Sequence, residues 1–248
     1  MPPRSRLPAG HAPLSQILFA QGFGARRECD GLIFNGLVKV DGTVVDDPDA
    51  AFPEDRLSLE IEGQPWVTHV KALVMLHKPA GYECSLKPGA WPGVHNLLPV
   101  ALRRRGLQPV GRLDQDTTGL LLMTDDGPLL HKLTSPKHHV PKVYEVTCKH
   151  PVSDGQLQQL LAGVVLDDDP MSVQADGAER VDALGDTHLR LTLLQGKYHQ
   201  VKRMVAAVSN RVEALHRSRI GQLELPADLA PGQWRWVEDP AVVLPPKT

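Results

Sequence analysis

The chain has 248 residues, of which 42% are hydrophobic and 4% aromatic, and a formal net charge of −2. Such a length holds one large domain or a large and a small one, around a mostly aliphatic core. The near-neutral balance gives no global sign of a nucleic-acid binder, so a site for a polyanion has to come from local clustering.

Residues 1–12 are rich in proline and arginine and poor in apolar side chains, which predicts a mobile tail. Leu14, Ile17, Leu18 and Gln21 then fall at helical spacing, until Gly22-Phe23-Gly24 breaks the helix. A second amphipathic helix is expected over residues 25–35, with Cys29, Leu32 and Ile33 on one side and Arg26 and Arg27 near its start. Val38, Val40, Val44 and Val45 around Asp41-Gly42 predict a tight hairpin. Residues 46–62 carry seven carboxylates against Arg56 alone, a face that should point away from nucleic acid. Leu57, Leu59 and Ile61 alternate there as a strand, and Glu62-Gly63-Gln64-Pro65 reads as a linker. The expected division is a small domain at residues 13–64 and a larger one at residues 65–248.

In the larger part, residues 73–77 read as a strand ended by Lys78-Pro79-Ala80-Gly81, and Arg103-Arg104-Arg105 precede Gly106. Residues 109–113 and 120–123 read as two strands flanking a polar turn closed by Gly119, with Asp114 at the mouth of the first and Asp126-Gly127 as a second turn. A helix at residues 128–133, a strand at 142–148, a helix at 153–161 capped by Ser153 and strands at 164–166 and 189–193 follow. An amphipathic helix at 200–208 and a mostly extended run at 211–225 complete the pattern, which is that of an α+β fold with a mixed, largely antiparallel sheet. Cys29, Cys84 and Cys148 are scattered and form no Cys-x-x-Cys pair, which argues for a reducing compartment and against a zinc site. No apolar run approaches the ~20 residues of a membrane span, so a cytoplasmic protein without membrane contact is expected.

Two clusters carry chemistry. Asp114 beside Arg112, under a loop of small hydroxyl residues, is a carboxylate that can be kept ionised and aimed at a substrate. Between residues 197 and 219, Lys197, Lys202, Arg203, Arg211, Arg217 and Arg219 are opposed by Glu213 alone, the electrostatic footprint of a polyanion site. Asp114, Asp116, Thr118 and Gly119 also match part of a calcium loop, but Asp125 stands where the bidentate glutamate belongs and the flanks read as strands. A glycosidase pair of Asp114 and Asp116 is the other rival. Asp116 is read instead as organising the Thr117-Thr118 loop.

Gly111-Arg112-Leu113-Asp114 with Thr118-Gly119-Leu120-Leu121-Leu122 after it, Leu133-Thr134-Ser135-Pro136 and Lys142-x-Tyr144-x-Val146 resemble the pseudouridine synthases. So do the run from Gly196 to Met204, with Lys197-Tyr198-His199-Gln200-Val201-Lys202-Arg203 inside it, and Leu215-His216-Arg217-x-Arg219-Ile220-Gly221. Among them the chain is similar to the RsuA branch, which modifies small-subunit ribosomal RNA. The helices and hairpin of residues 13–64 resemble the alpha-L type of RNA-binding domain.

The resemblance implies an isomerase that breaks the bond from ribose C1′ to uracil N1 and rejoins the ring through C5, with neither metal nor other cofactor. It implies Asp114 as the essential carboxylate, Lys202 as its counter-ion and Tyr144 as the side chain stacked on the target base. Arg112, stiffened by its strand, would fill the space left by a flipped uridine or hold the flanking phosphate. Thr118, Lys142, His199, Gln200 and Arg203 would line the cleft, and Arg26 and Arg27 would meet RNA from the small domain. The implied target is uridine 516 of the small-subunit RNA, free or in an assembly intermediate. A monomer is expected, since one asymmetric RNA site needs no symmetric partner. The alternatives are a large-subunit synthase of the same superfamily and a non-catalytic RNA-binding or ribosome-assembly factor.

Overall fold

A computed structural model describes residues 7–166 and 169–244. Two compact units emerge, the first holding the residues up to Ala72 together with Leu98–Leu107, the second holding Leu73–Leu97 and the residues from Gln108 on.

In the first unit, strand β1 (His11–Pro13) leads into helices α1 (Leu14–Gln21) and α2 (Arg26–Phe34). Strands β2 (Val38–Val40) and β3 (Thr43–Val44) form the expected hairpin, with Asp41 at φ +48° and Gly42 at φ +82°, the paired left-handed residues of a two-residue turn. Strands β4 (Ala51–Pro53), β5 (Ser58–Ile61) and β6 (Gln64–Val67) follow. β1 pairs with β4, and a separate antiparallel sheet runs in the order β3-β2-β5-β6. Leu14, Ile17 and Leu18 from α1 and Cys29 and Ile33 from α2 pack with Val38, Val40, Leu57, Leu59 and Ile61 into one core. Part of the stretch read as a tail is therefore strand at His11–Pro13; residues 1–6 lie outside the described residues. The stretch read as a linker is the turn of a second hairpin, with Glu62 at φ +49° and Gly63 at φ +78°. Pro65 signalled a break, but β6 is an edge strand, where a missing N–H leaves no ladder bond unmade.

Later in the chain come β7 (Leu73–Lys78), α3 (Val100–Arg104, a member of the first unit), β8 (Gln108–Pro109) and β9 (Thr118–Thr124). Next are α4 (Gly127–Thr134), β10 (Lys142–Cys148), α5 (Asp154–Ala162), β11 (Val164–Leu166), β12 (Asp169–Val173) and β13 (Gly177–Arg180). The last are β14 (His188–Leu193), α6 (Gln200–Ala207), β15 (Val212–Ile220), β16 (Leu223–Glu224) and β17 (Trp234–Trp236). The second unit is built on a sheet of order β13-β14-β10-β15-β9-β7-β17, with β8 on β9 and β16 on β15. Only the β15–β9 contact is parallel, so the sheet is mixed and mostly antiparallel, as the α+β reading expects.

β9 lies centrally, and its Leu120, Leu121, Leu122 and Met123 are all fully buried, which is why this segment is apolar on both faces. Leu120 and Leu122 share one face with Leu73, Met75, Leu133 and Ile220, and each such side chain contributes about 1.5–3 kcal/mol on burial. By contrast β14 alternates strictly between buried and half-exposed, because only one of its faces is covered. The strand read over residues 109–113 is shorter: only Gln108–Pro109 pairs, because Gly111 at φ +73° turns the chain out of the ladder. Asp126, read as part of a turn, caps α4 by accepting a hydrogen bond from the Leu129 N–H at 3.1 Å. Among the described residues no helix is long and apolar enough to cross a membrane.

Candidate active site

A cleft of about 770 Å³ in the second unit is lined by residues of the Val110–Thr117 loop, by Lys142 and Tyr144 of β10, by residues 195–202 at the head of α6 and by Arg217 of β15. The floor is set by the sheet. Lys142 and Tyr144 alternate onto one face of β10, and Tyr144 stands opposite Arg217 on the neighbouring strand. Tyr144 is buried, at 8% exposure, so its ring is positioned by packing rather than by solvent.

Asp114 projects from an irregular loop that the protein pins at several points. Lys78, fully buried at the end of β7, donates from Nζ to the carbonyls of Pro79 at 3.1 Å, Gln115 at 3.1 Å and Thr117 at 2.8 Å. The Gly81 N–H donates to the Gln115 carbonyl at 2.8 Å, and the Thr117 N–H to the Asp114 carbonyl at 3.1 Å. Burial pulls the Lys78 pKa down, and the nearby Asp116 and Asp114 partly offset this.

The Asp114 carboxylate lies between two side chains from the head of α6, 3.1 Å from Lys202 Nζ and 3.2 Å from His199 Nε2. His199 adopts a left-handed backbone at φ +47° where the chain turns into α6, and its ring stacks on Tyr198 at 3.8 Å. Gln200 is buried and accepts the Lys197 N–H at 2.8 Å, so it holds this turn from inside. Lys202 also donates to both Asp116 oxygens, at 2.7 and 2.9 Å. Partial burial works against the Lys202 charge, but the hydrogen bonds to Asp116 and Asp114 outweigh it and raise its pKa. The same bond holds the Asp116 pKa below its usual range against desolvation. Asp114 and Asp116 thus converge on an ammonium, an arrangement unlike a calcium loop, whose carboxylates face the ion.

Most residues singled out in the sequence meet in this cleft: Arg112, Asp114, Lys142, Tyr144, His199, Gln200 and Lys202. Arg112 sits in the irregular loop, not on a strand, so it lacks the stiffening expected of it. Thr118 is not among the lining residues; its hydroxyl bonds His216 Nδ1 at 2.9 Å, because β9 has already begun there and turns that side chain to β15. Arg203 turns aside as well, donating to the Tyr198 carbonyl at 3.0 Å. Arg26 and Arg27 belong to the first unit.

Three residues take parts that the sequence did not show. Asp116 was assigned to its own loop, yet it makes the shorter contacts to Lys202. Lys78 was read as a turn residue; the available signal was a lysine continuing an otherwise apolar strand. Arg217, at 1% exposure, donates from Nε to the Leu120 carbonyl at 2.8 Å, and one of its terminal nitrogens has no hydrogen-bond partner. Burial, with the Arg217 charge second, lowers the pKa of the neighbouring Lys142 to about 8.

The RNA pseudouridylate synthase family matches residues 72–207, and the S4 domain family matches residues 13–50. Ribosomal small subunit pseudouridine synthase A of Escherichia coli (strain K12) is 44% identical over 223 residues, covering 87% of this chain and 92% of that protein. An uncharacterized RNA pseudouridine synthase of Bacillus subtilis (strain 168) is 36% identical over 222 residues, covering 90% and 93%. A crystal structure of a pseudouridylate synthase superposes with a TM-score of 0.65 at 32% identity, covering 93% of this chain and 98% of that one.

Proposed function

The chain belongs to the RNA pseudouridylate synthase family, and from that premise we propose that it isomerises one uridine of small-subunit ribosomal RNA, uridine 516, to pseudouridine. The observation that carries the reading is the Asp114 carboxylate, clamped between Lys202 and His199 in a cleft floored by Tyr144.

The reaction breaks the C1′–N1 bond, turns the uracil and joins C5 to C1′; the C5 proton leaves and N1 gains one. Nothing is oxidised or reduced, so the step balances without an electron carrier. Asp114 acts on the ribose or the base, and the Lys202 ammonium, 3.1 Å away, holds its carboxylate in position. Tyr144 offers a ring face to the uracil. Lys142, His199 and Gln200 meet the flipped nucleotide, and Arg112 occupies the space it leaves or holds the flanking phosphate. Extruding the base costs on the order of a few kcal/mol, which contacts in the cleft must offset. The small domain at residues 13–64 supplies further RNA contacts through Arg26 and Arg27, the remainder carrying the chemistry. The protein acts as a cytoplasmic monomer; Cys29, Cys84 and Cys148 are free and buried, in keeping with a reducing compartment.

The test is tritium release from small-subunit RNA, or an assembly intermediate, labelled at uridine C5, with the modified position mapped by mass. Wild type should release tritium and Asp114→Asn should not. Activity surviving in that variant would remove Asp114 from the chemistry, and a modified uridine in large-subunit RNA would correct the substrate.

A further inference from the structure

Helix α3 follows the first strand of the synthase unit in sequence, yet the segment around it, Leu98–Leu107, is packed into the first unit. Arg105 is its anchor: one terminal nitrogen donates to Gln21 Oε1 at 3.0 Å and to the His69 carbonyl at 2.8 Å, the other to the Val70 carbonyl at 3.4 Å. The approach to the end of α1 is close. A Cβ on Gly22 would stand 2.2 Å from the Ala101 carbonyl oxygen, and Gly22 also takes φ +89° to end the helix. The segment is therefore an integral part of the first unit, not a loop lying over it.

This packing sets the exposed Arg104 beside the first turn of α2, and the equally exposed Arg103 precedes it on α3. Arg104 comes within 3.9 Å of Glu28, the residue next to Arg27. Arg26 and Arg27 are exposed too, and the Arg26 guanidinium lies 5.6 Å from the centre of the Phe19 ring, itself 47% exposed. Four exposed arginines from two distant stretches thus belong to one unit, Arg26 lying against an aromatic face and Arg104 reaching the residue next to Arg27. Glu28 is already engaged, accepting the Ala25 N–H, and its exposed contact to Arg104 is long and weak enough for a phosphate to displace. Across the rest of the unit, residues 46–62 carry most of the acid, so the charge is divided.

We propose that Arg103 and Arg104 complete an RNA-backbone-binding surface on the first unit together with Arg26 and Arg27, with Phe19 as a stacking face for an unpaired base. The planar guanidinium fork suits phosphate oxygens, and an exposed aromatic beside it suits single-stranded RNA over a protein partner. The S4 domain's RNA surface is then composite, one half being written into the sequence of the synthase part. This rests on the reading that the first unit binds RNA.

The experiment is the affinity of the full chain for a small-subunit RNA transcript, measured across a series of salt concentrations, for wild type, R103A/R104A and R26A/R27A. Loss of two phosphate contacts should weaken binding roughly tenfold near 0.1 M salt and reduce the slope of log K against log salt by about 1.4–1.8. The melting temperature should hold, since both side chains are exposed. Wild-type affinity and slope in R103A/R104A, with weakening in R26A/R27A, would overturn the composite surface and leave RNA binding by the first unit standing. No change in either variant would overturn that underlying reading as well. A weaker affinity with an unchanged slope, or a lower melting temperature, would mark a folding role and also overturn the proposal.

Discussion

Lys142 is a lysine whose charge changes near neutrality, because burial, with the Arg217 charge second, brings its pKa from 10.5 to about 8. Between those values the native state binds fewer protons than the unfolded chain, so this group makes the protein more stable as pH rises from about 8 towards 10.5. On the proposed function, a hold of Lys142 on RNA runs the other way, fading as the ammonium is lost. Wild-type affinity for RNA should therefore weaken between roughly pH 7.5 and 9, across the Lys142 pKa, towards the level of Lys142→Gln, which should start weaker and stay flat. An alkaline limb kept by Lys142→Gln would move the titration to another group. In the Asp114–Lys202–Asp116 cluster, Lys202 and Asp116 give no rival slope in that window, since the Lys202 pKa is raised and the Asp116 pKa is lowered. Removing its cation is a different matter: Lys202→Met leaves two carboxylates side by side and should cut kcat about 100-fold, while Asp116→Asn should cost under about tenfold. Equal losses in Asp116→Asn and Asp114→Asn, read by tritium release, would show that the carboxylates had been given the wrong roles.

At the scale of elements, the cleft depends on where β9 meets β15. Gly119 pairs with Arg217 in that parallel contact, and a Cβ there would stand 2.3 Å from the Arg217 carbonyl oxygen and 2.6 Å from its nitrogen. Both neighbours are backbone, and Gly119 also holds φ +108°, so Gly119→Ala should cost about 4 kcal/mol or more in urea unfolding. Near-native stability would mean that the two strands can part without harm. Lys78→Met is milder in shape, but it leaves the Pro79 carbonyl and two carbonyls of the Asp114 loop without their donor, so about 2–4 kcal/mol and a fall in kcat are expected. Strands such as β10 and β14 were legible in the sequence because their alternation reports a covered face, and the Asp41-Gly42 hairpin because its turn demands those residues. The start of the Asp114 loop, at residues 111–113, was not, since Pro109-Val110-Gly111-Arg112-Leu113 looks the same in a strand as in a packed loop, and the φ of Gly111 decides it. The meeting of Asp114 with Lys202 was suggested only by family likeness. Nothing local links the two residues; the sheet order brings them together.

For the whole molecule, the path of the chain matters more than the boundary near residue 65 suggests. Leaving the first unit after Ala72, the chain returns to it at Leu98–Leu107 and leaves again, so no single cut separates the units. Leu98, Ala101, Leu102 and Leu107 on the returning segment are all buried, at 3%, 6%, 0% and 0% exposure. A chain begun at residue 66 would keep that segment and lose most of the unit it belongs to. Three buried leucines at about 1.5–3 kcal/mol each are a large share of the 5–15 kcal/mol by which a domain is typically stable. Such a truncation should bind a hydrophobic dye, associate on sizing, and unfold at a lower temperature than the corresponding step in the full chain. Replacing residues 98–107 in it by a polar linker of equal length should restore a monomer, because the apolar surface goes with the segment. A truncated chain that stays monomeric, binds no dye and keeps its transition temperature without that replacement would show that residues 98–107 need no cover from the first unit. The embedded segment would then be a passenger on it, and the two halves of the sequence would be independent in folding.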